Sequence, residues 1–368
     1  MKFNPNEEAF FERRTEAHTP KLLESYNRSC YNWTPDMKDM ILRASKSSIN
    51  DYDWCPHQYK LKHIYRLSEP ENDDMIRGTN VHSIVEYFWD NVDEPPHEPE
   101  CICNNLNHNR YDETCPQNQK TDDSTPLEVA SALLKEGKKM LAKDILWQVI
   151  PTPPLPYQFG EEVVIRKWFD WQWDRFLVCS TPDMDMMDWM PVGNEVSAHG
   201  VVMVEVDGEK YPVHLRGFID TIFSDGEGGF ILMELKTGKW REKKTATKMR
   251  VEMQIYRMML EEGEYSDFLP ITHWAWEFPR GYVNGGDRAE WELEETGTRK
   301  TQFAPRTAMR KIQNLVKGHL YDSFEPKIRE WRTPNGETMT NCSYCSFMEL
   351  CPAWGMNEGG NEYENEEE

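Results

Sequence analysis

The chain has 368 residues, enough for one large domain or two ordinary ones with a substantial core, so wholesale disorder is excluded. A formal net charge of -22 excludes a protein that coats nucleic acid indiscriminately, although it leaves room for a local basic track. No apolar run approaches the ~18 residues of a membrane span, and the opening MKFNPNEEAFFERRTEAH has no apolar targeting segment, so the expected location is cytoplasmic.

Residues 1–44 read as a polar N-terminal extension with scattered aromatics. From Ser45, SKSSINDYDWCPHQYKLKHIYRL begins with serines able to cap a helix and then sets Ile49, Tyr52, Cys55 and Tyr59 at helical spacing. A second helix is predicted over TNVHSIVEYFWDNV (79–92), with Thr79 or Asn80 as its cap. Residues 93–124 have no periodicity and read as an insertion, and a long helix follows from Leu127 to Val149, stopped by PTPPLP. Between Glu161 and Glu234 the pattern predicts strands: EEVVIRKWF, RFLVCS, VVMVEV, YPVHLRGFIDTIF and FILMELK, divided by turn signals. Helices are expected at 243–262 and 304–320, and residues 353–368 form an acidic tail expected to be disordered. The sum is an α/β core with helices packed on a mixed sheet.

One pair of strands carries chemistry. GFIDTIFSDGEGGFILMELKTGKW reads as a hairpin with Asp220 in its first strand and Glu234 and Lys236 at the end of its second. Period-two alternation puts Glu234 and Lys236 on one face, with Leu235 on the other. Two adjacent carboxylates repel unless a divalent cation holds both, and Mg²⁺ is commonly bound that way beside a phosphate. A lysine there can orient water and stabilise phosphate charge. Without such a ligand the same residues would be a surface Glu–Lys pair on an edge hairpin.

The order Gly-x-x-Asp, a glycine-rich turn, then an apolar run ending in Glu-x-Lys-Thr-Gly resembles motifs II and III of the PD-(D/E)XK nuclease superfamily, in particular its RecB-like branch. Ile219 stands where the superfamily name has proline, as is common in that branch. RGTNVHSIVE resembles the branch's Gly-x-x-x-His helix, which makes His82 a metal-proximal residue. The resemblance implies a restriction-endonuclease-like fold over residues 45–352, with Mg²⁺ or Mn²⁺ held by Asp220, Glu234 and the Leu235 carbonyl, assisted by His82, and with Lys236 handling water and charge. KMRVEMQIYRMML is an imperfect match to the branch's Gln-x-x-x-Tyr motif: Gln254 has Met258 four residues on, and Tyr256 has Glu252 four residues back, so only one of Gln254 and Tyr256 fits by register. From Lys236 to Arg250 there are seven basic residues and one acid, an island that includes Lys239, Lys243 and Lys244 and reads either as an exposed helix start or as a phosphate track for DNA.

The nine cysteines of a chain in a reducing compartment point to metal rather than disulfides. Cys342, Cys345 and Cys351 follow a Cys-x2-Cys-x5-Cys pattern that calls for a fourth thiolate, best supplied by Cys55. This arrangement resembles the iron-sulfur RecB-like nucleases, including CRISPR-associated single-strand DNA exonucleases and the nuclease parts of some recombination helicases. The resemblance implies a [4Fe-4S] cluster stapling the two ends of the nuclease domain, with zinc in the same four-thiolate site as the alternative. Cys101, Cys103, His108 and Cys115 offer a further small zinc site in the insertion, whereas Cys30 and Cys179 read as free or buried thiols. No Gly-x4-Gly-Lys-Ser/Thr phosphate loop occurs, so the expectation is a stand-alone DNA exonuclease working in recombination, repair or CRISPR adaptation, with proteins of those pathways as partners. The alternative is a catalytically idle iron-sulfur DNA-binding or assembly subunit.

Overall fold

The computed structural model of the chain describes residues 42–70, 72–94, 124–151, 157–180, 186–239, 242–281, 291–333 and 335–353. The first element among the described residues, β1 (Leu42–Ala44), belongs to the central sheet, although it falls within the segment read as an extension. Three residues are too few to show a strand's alternation in sequence. Helix α1 (Lys46–Trp54) follows, opened by a capping box in which Ser45 and Ser48 satisfy each other's backbone N–H. Short helix α2 (Pro56–Tyr59) runs into a π-helical stretch at Lys60–Ile64.

Helix α3 (Asp73–Asn91) starts about two turns earlier than Thr79 because Asn72 caps it, accepting the Met75 N–H at 3.0 Å, and Asp73 and Asp74 favour its positive end. The single helix expected over 127–149 is two, α4 (Pro126–Lys135) and α5 (Lys139–Trp147), broken at Gly137, whose φ of 76° a continuous helix cannot accommodate. The largest departure is α6 (Glu161–Cys179), which replaces both strands read into EEVVIRKWF and RFLVCS. Their β-branched and aromatic composition suggested strands, yet Val164, Ile165, Trp168, Phe169, Gln172, Trp173, Phe176 and Cys179 are buried at helical spacing. A wide apolar helix face buried on several neighbours overrides intrinsic propensity.

The sheet is mixed. Strand β3 (Glu209–Ser224) is its spine and pairs along one edge with antiparallel β2 (Gly193–Val206). Its other edge is shared: β1 runs parallel to it opposite residues 213–215, and β4 (Phe230–Leu235) antiparallel opposite 221–224. Parallel β5 (Ile271–Glu277) and antiparallel β6 (Trp291–Glu295) complete the six strands. Helices α7 (Glu242–Glu261) and α8 (Ala304–Leu320) pack with α1 against one face, in a core that includes Leu215, Ile222, Leu232, Trp274 and Trp276. On the other face α3 through α6 enclose Phe88, Trp89, Trp168 and Trp189, whose rings meet edge to face around Phe223 and Met233. A separate hairpin, β7 (Glu330–Arg332) with β8 (Thr338–Thr340), stands apart from the sheet.

Candidate active site

The β3–β4 hairpin forms as its sequence predicts, in a register that runs from Ser224↔Phe230 to Thr221↔Met233. The next pair in that progression is Asp220 with Glu234. Glu234 is 4% exposed, and two ammonium groups converge on its Oε1: Lys236 at 2.5 Å, and Lys46 from the first turn of α1. Lys46 arrives there because β1 and β4 occupy one edge of β3 in opposite directions, so their carboxyl ends face each other across the gap at Asp220. Ligand sites in open α/β sheets lie outside the carboxyl ends of strands. No pattern in the sequence singled out Lys46, which looks like any lysine in a capping segment.

Charge is unevenly distributed over this pair. Burial works against ionisation of Glu234, but Lys236 and Lys46 outweigh it and hold its carboxyl at about 2. Asp220 is driven the other way, to about 6, by burial and then by the charge of Glu234, despite His82 and the two lysines. Burial disfavours the Lys236 cation too, yet Glu234 and Glu252 hold its ammonium above the ordinary lysine value. Lys236 Nζ is thus set between the carboxylates of Glu234 and Glu252.

A third carboxylate completes the row. The β2–β3 register passes from Asn194↔Thr221 to Val196↔Ile219, which leaves Glu195 opposite Asp220. Its φ is 45°, a left-handed conformation that costs a non-glycine residue roughly 1–3 kcal/mol. Like charges facing across strands add a further penalty. Asn194 fixes this kink to α3, donating to the Glu86 carbonyl at 3.2 Å and to Asp90 at 3.0 Å. The same helix carries His82, whose Nδ1 lies 3.7 Å from Glu195 and 3.8 Å from Asp220. Burial opposes protonation of His82, but Glu195, Asp220 and Glu234 together raise its pKa. The ligand atoms of His82, Glu195 and Asp220 all lie within 4.8 Å of one another. Sequence reasoning missed Glu195, because neither the kinked backbone nor the register across β2 and β3 is a local property.

Donor chemistry and strain fit a divalent cation. Oε2 of Glu234 is buried without a hydrogen bond of ordinary geometry, and the Tyr256 phenol is the group that approaches this carboxylate. The Leu235 N–H donates to Asp220 Oδ2 at 2.8 Å. Carboxylates and a backbone carbonyl are ligands that Mg²⁺ or Mn²⁺ accepts.

Helix α7 packs beside the site and brings one of the two accessory candidates to it. Glu252 and Tyr256, one turn apart, both face the cluster: Glu252 is 3.8 Å from Lys236 Nζ and accepts from Asn50 at 2.9 Å, while Lys46 Nζ sits 4.6 Å from the Tyr256 ring centroid. Burial, then the charges of Glu234 and Asp220, push the Tyr256 phenol far up. Gln254 is buried elsewhere on the helix with an unpartnered Oε1. Glu252 thus stands where the motif has glutamine. Of the basic island, Lys239 is exposed after β4. Lys243 and Lys244 fall in α7, but their side chains lie outside the described residues.

The sequence profile of the PD-(D/E)XK nuclease superfamily matches residues 43–352, most of the chain. The chain belongs to the PD-(D/E)XK nuclease superfamily. Its mixed sheet with flanking helices fits that fold. Members of the superfamily are generally phosphodiester hydrolases that use Mg²⁺ or Mn²⁺, which implies a metal-dependent nuclease with DNA as substrate. No curated protein shows significant similarity to this PD-(D/E)XK chain. A solved structure described as "Crystal structure of SSO0001" is similar at 16% identity, over 61% of this chain and 82% of that one, with a TM-score of 0.28, too loose a likeness to bear on function. No helix among the described residues is long and apolar enough to cross a membrane.

The four cysteines singled out by spacing line one cavity, together with His57, Asn341 and Phe347. Burial pushes the Cys345 thiol up to about 11; the Phe347 N–H pulls against it, and the charges of Cys55, Cys351 and Cys342 add to the rise. The Lys327 N–H points at Cys55 Sγ from 3.5 Å. The sulfurs are not drawn into a compact group: among the described residues the one cluster with ligand atoms within 4.8 Å is that of His82. A single tetrahedral zinc would bring thiolates to ~3.8 Å from one another. Cys179 is a buried thiol in α6, and Cys30, Cys101, Cys103, His108 and Cys115 lie outside the described residues.

Proposed function

We propose that the protein is a DNA exonuclease that processes DNA ends in recombination, repair or CRISPR adaptation. The observation that carries this reading is the row Glu195–Asp220–Glu234 across three strands, with His82 beside it and Lys236 and Lys46 on one oxygen of Glu234. Three carboxylates at this spacing are poorly tolerated without a cation. Bound Mg²⁺ or Mn²⁺ would polarise the phosphate and acidify a water at neutral pH. Asp220, Glu234, the Leu235 carbonyl and His82 would hold it, and Glu195 adds a ligand beyond that set. Lys236, a cation before binding, orients the attacking water and offsets charge growing on the phosphate oxygens.

The reading includes an iron-sulfur cluster held by Cys55, Cys342, Cys345 and Cys351. The cavity gathers Cys55, beside the start of the domain, with three cysteines at its end, and a four-iron cluster holds its thiolates farther apart than one zinc does. Such a cluster would bind together the segments at 55 and 342–351, which no long run of secondary structure joins.

The test is digestion of end-labelled single-stranded and duplex DNA by anaerobically purified protein with Mn²⁺. Stepwise loss of nucleotides from an end is expected, abolished by Lys236→Ala with Mn²⁺ binding retained. Internal cuts in closed circular DNA would make it an endonuclease. Absence of all metal-dependent cleavage by pure wild type would leave the idle subunit as the correct reading.

A further inference from the structure

Outside the metal site, three aromatic rings from distant parts of the chain form a surface row. Trp54 ends α1, Trp331 lies on β7, and Tyr344 follows β8. Trp331 and Tyr344 are stacked, with ring centroids 6.0 Å apart and planes 14° from parallel. Trp54 is tilted against Trp331 at 6.3 Å, and the Arg329 guanidinium lies 5.7 Å over Trp54. Burial does not explain the row: Tyr344 is 66% exposed and Trp331 37%. Large apolar rings left in water in a sequence this polar are a cost to solubility and stability unless something covers them.

The row is held firmly in place. Arg329 donates to the Asp53 carbonyl, and Lys327 Nζ does so at 3.2 Å, which ties the β7 strand to the end of α1. Asn341 accepts the Arg329 N–H at 2.8 Å and donates to the Lys327 carbonyl at 2.8 Å. Each end of the row adjoins a cysteine of the cavity: Trp54 precedes Cys55, and Tyr344 precedes Cys345. Residues 327–332 carry three basic side chains and one acid, a local reversal of the chain's negative charge. Helix α1 connects the row to the chemistry. Its first residue, Lys46, touches Glu234, and its last is Trp54. Nine residues of helix span about 12 Å, a distance of a few nucleotides along a strand.

We propose that Trp54, Trp331 and Tyr344 form a stacking platform for unpaired bases, which makes a single strand the form of DNA that the active site receives. Aromatic faces flanked by guanidinium groups bind unpaired bases without regard to sequence, because every base has a π face. Bases in a duplex are already stacked and cannot use the platform. The inference rests on the DNA-nuclease reading for its substrate, but its geometry is independent of the metal site.

The test is binding, measured in the Lys236→Ala background with Mn²⁺, of an oligothymidylate, an abasic oligonucleotide of equal length, and a blunt duplex. Tyr344→Ala, at an exposed position, and Trp331→Ala should each weaken oligothymidylate binding by about tenfold. Neither should alter affinity for the abasic strand or the duplex, and Trp331→Phe and Tyr344→Phe should restore most of the loss. Equal affinity of parent and Ala variants for oligothymidylate would overturn the proposal, as would equal losses on all three DNAs. Wild-type cleavage is scored separately: a protein that binds oligothymidylate through the rings but never cuts would refute the nuclease reading and leave the platform standing.

Discussion

The Leu235 backbone N–H donates a 2.8 Å hydrogen bond to Oδ2 of Asp220, so the carboxylate of one strand completes the ladder of the next. The backbone pairing of β3 and β4 ends at Thr221↔Met233, and beyond it the Asp220 side chain takes the place of a partner strand. On the other edge of β4 the Lys236 N–H donates to the Glu277 carbonyl at 2.8 Å. In an extended strand the N–H and C=O of one residue point to the same edge, so the Leu235 carbonyl falls on the Asp220 side, where a cation would meet it. One hydrogen bond thereby fixes the spacing of Asp220, Glu234 and the carbonyl together.

Glu195 should separate metal affinity from folding. Glu195→Gly removes a left-handed glutamate and a carboxylate facing Asp220, so the metal-free melting temperature should hold or rise. Mn²⁺ affinity, read by calorimetry without DNA, should fall by at least the roughly 10- to 100-fold that losing an outer ligand partner costs. Unchanged Mn²⁺ affinity would mean that Glu195 only faces the site.

Lys46 and Lys236 share one oxygen of Glu234, so removing Lys46 leaves a buried carboxylate with half its compensation. Lys46→Ala should destabilise the metal-free protein by about 1–3 kcal/mol. Added Mn²⁺ should then raise the variant's melting temperature more than the wild type's, because the ion replaces the lost charge. Identical Mn²⁺-induced shifts in the two proteins would contradict this account.

For the cysteine cavity, Cys345→Ala should bleach a brown anaerobic protein and lower its stability, since metal-site free energy is partly folding free energy. Lys236→Ala should do neither. A colourless wild type containing one equivalent of zinc would assign the site to zinc, and a metal-free wild type of equal stability would remove the staple altogether.

Glu277 gives a pH signature unconnected with metal. It is fully buried, and burial pushes its carboxyl to about 8, although the Arg175 charge and a 3.5 Å hydrogen bond from Gln172 act in the opposite direction. Between the ordinary value of 4.5 and about 8 the folded chain holds a proton that the unfolded chain has lost, so stability falls as pH rises through that window. Glu277→Gln mimics the protonated form and should lack this decline. The melting-temperature difference between variant and wild type should therefore grow in the variant's favour from pH 5 to pH 9; parallel curves would show that Glu277 ionises normally.

What the sequence determined by itself is what short separations encode. Asp220, Glu234 and Lys236 are legible because a hairpin with a glycine-rich turn and period-two alternation leaves little freedom in where they point. His82 on a helix and the grouping of Cys342, Cys345 and Cys351 are local in the same way. Helix α6 is not legible in the same way, because β-branched and aromatic content is ambiguous until the surrounding core is known. The rest was decided by tertiary structure. Lys46 reaches Glu234 across 188 positions only because two strands meet end to end along β3. Glu195 depends on a cross-strand register and a left-handed backbone, and it is the rotation of α7 against the sheet that turns Tyr256 rather than Gln254 to the cluster. The row of Trp54, Trp331 and Tyr344 exists only once the two ends of the domain come together. Their side chains carry no periodicity in sequence, because the surface they share is built from segments that only folding makes neighbours.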